Sequence, residues 1–159
     1  MGYQLQGAIA AEPVLRELAG TAEYARIVPL TRHLCLLPMT DALFDEITVA
    51  GAAELDVFWK APAGFGRALA ACSAGGPVAY VEADYFGGSG TQAAQLWDGG
   101  QVVLGPLHLA EGKPIPAEGS PISRALRWLG VVKGEHFDEF DAAGLGRHRE
   151  TAGWLRPTS

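Results

Sequence analysis

The chain has 159 residues, 48% of them apolar and 19% charged, the composition of one folded domain rather than of a disordered segment. Its formal net charge is −6, only three of its cations are lysines (Lys60, Lys113 and Lys133), and no basic run exceeds Arg147-His148-Arg149. That balance argues against nucleic acid and anionic membrane as partners, because both are held by clustered cations, and it suits a basic protein partner. No stretch of about 18 apolar residues is available to span a bilayer. Residues Met1 to Gln6 lack the basic start and apolar core of a secretory signal, so a cytoplasmic protein is expected. The wealth of Ala, Gly and Arg beside so little Lys suggests a GC-rich bacterial genome.

Tyr3 to Ala10 alternates loosely and is expected to be a strand. Glu12-Pro13 then opens a helix with Val14, Leu15 and Leu18 as its stripe and Gly20 as its stop. Arg26 to Leu30 and His33 to Met39 read as two strands joined at Thr31-Arg32, the second apolar on both faces and therefore internal. Thr40 or Asp41 caps a helix carrying Leu43, Phe44 and Ile47. Val57-Phe58-Trp59 is taken as a short strand, and Phe65 to Ala74 as a helix whose Phe65, Ala68, Leu69 and Cys72 share a face. Cys35 and Cys72 lie in apolar segments without metal spacing and are expected as buried free thiols.

Three β-rich runs follow: Val78 to Phe86, Thr91 to Trp97, and Gln101 to Leu104. Gly87-Gly88-Ser89-Gly90 is expected as a longer hairpin loop and Asp98-Gly99 as a two-residue turn, giving a three-stranded meander over 78–104. Residues 105–120, rich in Pro and Gly, read as a surface loop. Ser120-Pro121 starts a helix with Ile122, Ala125, Leu126 and Leu129 inward and Gly130 at its end. Phe137, Phe140, Leu145 and Trp154 in the tail should pack onto the body. Residues 1–159 are thus read as a single α+β domain. Its antiparallel or mixed sheet would have five to six strands, with three to four helices mainly on one face.

On a strand, Tyr80, Glu82 and Asp84 share one face, and two carboxylates about 7 Å apart there could work as acid and base. A solvated sheet face displaying two ordinary acids is the alternative. The catalytic candidates are Glu82, Asp84, Tyr85 and His148, with Arg147 to hold an anion. Gly87-Gly88-Ser89-Gly90 runs strand to strand, so it is not a phosphate loop, and no histidine pair has the helical spacing of a metal site; neither a cofactor nor a metal is expected. His136, His148 and the acids at 138–141 could gather a metal, but a solvated acidic turn explains them as well. Binding candidates are the acids Glu82, Asp84, Asp138, Glu139 and Asp141, which complement a basic partner, and Arg147 and Arg149, whose planar forks suit an anion.

The stretch Tyr80 to Gly88, followed by Gln92 and Trp97, resembles a pattern in a family of small uncharacterised bacterial proteins. Their C-terminal parts carry a stretch similar to Phe137-Asp138-Glu139-Phe140-Asp141 and Gly144-Leu145-Gly146-Arg147-His148. The resemblance covers about the second half of the chain and implies no activity. In size and charge alone the chain looks like an immunity partner of a bacterial toxin. Three functions stay open: a non-catalytic inhibitor or immunity-type binding protein, a small hydrolase or transferase built on Glu82 and Asp84, and a small-ligand pocket lined by Trp59, Tyr80, Trp97 and Trp128.

Overall fold

A computed structural model describes residues 2–156. Strand β1 (Gly2–Ala11) leads directly into helix α1 (Glu12–Ala19), with Pro13 in the first turn, where its missing N–H leaves no bond unmade. Strands β2 (Val28–Thr31) and β3 (Leu34–Pro38) form a short hairpin. Helix α2 (Asp41–Ile47) follows, the Thr40 hydroxyl accepting from the Leu43 N–H as its cap. Helix α3 (Phe65–Cys72) continues into a 3-10 turn, and then come β4 (Val78–Phe86), β5 (Ser89–Asp98) and β6 (Gln101–Leu109). Helix α4 (Pro121–Trp128) is capped by Ser120, and α5 (Glu139–Ala142) by Asp138.

All six strands form one antiparallel sheet in the order β2-β3-β1-β4-β5-β6, an α+β single domain. The chain passes from the β2–β3 hairpin through α2 and α3 before β4 pairs with β1. That places the N-terminal strand at the centre. Strand β3 is internal, as its two apolar faces require.

The helices divide between the two faces instead of gathering mainly on one. Helices α1, α2 and α3 cover Ala8, Leu37, Met39, Val78, Tyr80 and Trp97, while α4, α5 and the tail cover Leu5, Ile9, Leu36, Val81, Ala83 and Leu96. Alternation explains this: β4 is buried on successive residues from Val78 to Ala83, so both of its sides need a cover. On α4, Ile122 and Leu126 are fully enclosed, each worth about 1.5–3 kcal/mol relative to exposure.

Four local expectations shift. Both meander turns are two-residue Gly-Gly turns, Gly87-Gly88 and Gly99-Gly100, with φ of +63° and +82°, then +62° and +85°. Phe86 pairs with Ser89, and Asp98 pairs with Gln101 instead of entering its turn. Glycine takes positive φ at both central positions more cheaply than Asp. Strand β6 runs past Pro106 to Leu109. It is an edge strand, so the absent N–H of proline need not cost a ladder bond. Val57-Phe58-Trp59 is not a strand; Val57 has φ +65°, and the backbone beyond it bonds to a side chain of β4. Phe137 is 82% exposed and does not join the tail packing, whereas Leu145 and Trp154 are buried and Phe140 partly so. Cys35 and Cys72 are free thiols, Cys72 buried and Cys35 partly so. No helix among the described residues is long and apolar enough to cross a membrane.

Candidate functional site

Strand pairing puts Gln6 opposite Glu82 and Gln4 opposite Asp84, so the two acids do share a sheet side, the side of α1, α2 and α3. Their surroundings differ. Glu82 is 2% exposed and lies beneath the segment joining α2 to α3, and Asp84, two residues nearer the hairpin tip, is exposed. One Glu82 oxygen accepts the Trp59 N–H at 2.9 Å and the other the Lys60 N–H at 2.7 Å. The Tyr80 hydroxyl donates to the Lys60 carbonyl, and the Phe58 ring meets Tyr80 edge-on at 5.1 Å. The Lys60 ammonium is paired with Asp41 at the start of α2. Two side chains of β4 therefore hold residues 58–60 as a strap, supplying the partners that a strand ladder would have given them.

Burial pushes the Glu82 carboxyl up to about 7, against the opposing pull of the two backbone donors and the Lys60 charge. The Tyr80 hydroxyl is driven upward by the same burial and by Glu82. A carboxyl titrating near neutrality can store a proton. Here both oxygens are already engaged and the strap covers them, so the geometry serves loop anchoring more directly than proton transfer to a substrate.

The remaining candidates separate. Tyr85 points to the opposite sheet side, where burial raises its hydroxyl and where it lines a cleft with Asp138, Tyr3 and Phe140. Asp138 caps α5 by accepting the Asp141 N–H at 2.8 Å. Glu139 is buried and accepts from Arg127 at 3.1 Å, which holds its carboxyl below the usual range. Asp141 meets His136 at 3.1 Å. The Arg147 guanidinium donates to the Leu30 carbonyl and lies 5.0 Å from the Trp154 ring centre, and the His148 and Trp154 ring centres are 4.6 Å apart. Glu82, Tyr85 and His148 are thus not gathered into one catalytic arrangement. Nor do the four aromatic residues line one pocket: Tyr80 and Trp97 are core on the α1–α3 side, while Trp59 and Trp128 are exposed. Among the described residues, no group of three or more His, Cys, Asp or Glu is clustered to hold a metal ion.

Arg149 stands elsewhere. Strand β3 pairs with only the second half of β1, Gly7 to Ala11, and the C-terminal tail lies beside the first half. The Gln4 N–H donates to the Arg149 carbonyl at 2.8 Å, and the Gln6 N–H to the Thr151 hydroxyl at 3.1 Å. Between tail, β1, the start of α2 and the strap is a polar cleft of about 450 Å³, lined by Gln4, Gln6, Thr40, Lys60, Arg149 and Thr151 among others. Gln6 and Lys60 were invisible as site residues, because nothing in the alternation of Gln4, Leu5 and Gln6 distinguishes a buried glutamine from a solvated one.

A third feature is the end of the sheet at the β4–β5 hairpin. Phe86 is 74% exposed there, two residues beyond Asp84 on the same strand face. The Ser89 hydroxyl donates to the Glu111 carboxylate at 3.0 Å, tying the tip to the loop after β6. Ile115 in that loop is 57% exposed and borders two clefts that both include Tyr85, one of them reaching Asp138. Comparison of the chain with models of protein families, with curated proteins and with solved structures found no match in any of the three.

Proposed function

We propose that this is a non-catalytic binding protein of the inhibitor or immunity type, and that it meets a basic protein partner with the hairpin end of its sheet. Support comes first from the exposed apolar side chains at that end: Phe86 stands exposed on the same strand face as Asp84, and on the other side of the sheet Ile115 borders the cleft that holds Tyr85 and Asp138. Exposed aromatic and aliphatic anchors with charged neighbours are the usual makings of an interface hot spot. The net charge of −6 would steer a basic partner and speed its arrival. The same view retires Glu82 and Glu139 from the binding set, since both are buried and bonded within the fold, and keeps Asp84 and Asp138 in it. Two unpaired thiols suit a reducing compartment, which supports the cytoplasm as its location.

The test is affinity capture from the native host with wild-type protein and with a variant carrying Asp84→Lys and Phe86→Ser. Both positions are exposed, so the variant should melt as the wild type does. A basic protein retained at one-to-one stoichiometry by the wild type and lost from the variant is the expected result. Failure to recover any stoichiometric partner, or its undiminished retention by the variant, would overturn the proposal.

A further inference from the structure

We propose that the polar cleft between the tail and the first half of β1 is a binding site for a small anion presenting carboxylate or phosphate oxygens. Its position differs from the hairpin end, so it stands independently of the partner surface. Gln6 is 2% exposed, its Oε1 accepts from the Thr151 hydroxyl at 2.9 Å, and its buried Nε2 has no hydrogen-bond partner. A buried amide donor without an acceptor costs about 1–3 kcal/mol, so a fold that keeps one beside a cleft is short of an acceptor there.

The charges in the cleft point the same way. Lys60 is paired with Asp41, and the other lining carboxylate, Glu150, with Arg156 at 3.5 Å. Among the described residues the exposed Arg149 guanidinium has neither an ion pair nor a side-chain hydrogen bond. Among the described residues the lining therefore holds one cation without a partner, each of its two carboxylates is paired with a cation, and Gln6, also in the lining, carries an orphaned amide N–H that is closed to solvent. Thr40 adds a hydroxyl whose oxygen already accepts from the Leu43 N–H, leaving its proton to donate. Donors without acceptors select an oxyanion, and the planar arginine fork matches a carboxylate or phosphate through two parallel bonds. A volume of about 450 Å³ admits a molecule the size of a small organic acid or a phosphorylated metabolite. The overall charge of −6 opposes an anion at long range, so selection must come from these contacts rather than from steering.

The experiment is an NMR titration of isotope-labelled wild-type protein and of Arg149→Ala with inorganic phosphate and, separately, with succinate. At least one anion should produce saturable shifts centred on the Gln6 side-chain amide and on Thr40, Lys60 and Arg149. Arg149→Ala, at an exposed position, should keep the wild-type spectrum elsewhere and weaken that binding at least tenfold. Saturation by phosphate alone assigns a phosphate ligand, and saturation by succinate alone a carboxylate. The absence of saturable shifts with both anions, or binding unaffected by Arg149→Ala, overturns the proposal.

Discussion

Replacing Glu82 with glutamine should change how stability depends on pH more than it changes stability at any one pH. The Glu82 carboxyl, ordinarily near 4.5, is pushed up to about 7 by burial under the strap. Between those values the folded protein holds a proton that the unfolded chain has released. Stability therefore falls as pH rises through that window. The contribution is fully present below about 4.5 and lost above about 7, and a change of that size corresponds to about 3 kcal/mol. Glutamine is close in shape to the protonated acid but sets its NH₂ against one of the two strap N–H groups, at a cost of about 1–3 kcal/mol. The wild type should lead at pH 4.5 and lose that lead by pH 8. Urea denaturation of both proteins across this range measures it, with the difference between the two curves isolating Glu82 from other titrating groups. Parallel curves would refute the reasoning, because they would mean that the carboxyl has the same pKa folded and unfolded.

Arg127→Ala strips the partner from buried Glu139 and should lower stability by about 2 kcal/mol at neutral pH. The Glu139 carboxyl is held low in the fold, so its contribution is present above its ordinary range and disappears as pH falls through the folded value; the loss measured by urea titration should shrink in acid. Gly90→Ala would place a Cβ 2.0 Å from the Asp84 carbonyl oxygen across the hairpin, and a loss of about 3 kcal/mol is expected in thermal melts.

Much of the sheet was legible because its signals are local. Alternation from Tyr3, the β-rich run at 78–86 and the Ser120-Pro121 start each depend on neighbours in the chain, and each gave the element observed. Val57, Phe58 and Trp59 favour a strand by residue type, whereas the partner that decides the conformation of this stretch, Glu82, lies more than twenty residues away. The same distance concealed the fate of the two acids. Strand parity fixed their common side, but only the crossing of the α2–α3 segment buried one and left the other exposed. Phe86 looked like part of a hydrophobic strand, and its exposure follows from the tight Gly87-Gly88 turn that ends the sheet just beyond it. The cleft could not be read locally either, since tail and β1 meet across some 145 residues of chain.

Amide hydrogen exchange of the chain alone and with its captured partner addresses most directly whether the hairpin end is the working surface. Protection should appear at the turn amides of Gly87 and Gly88 and in residues 111–115, with Trp59 and Lys60 unchanged because their amides are already bonded inside the fold. Protection confined to helices α1, α2 and α3, with the Gly87-Gly88 turn and residues 111–115 exchanging as freely as before, would contradict the account.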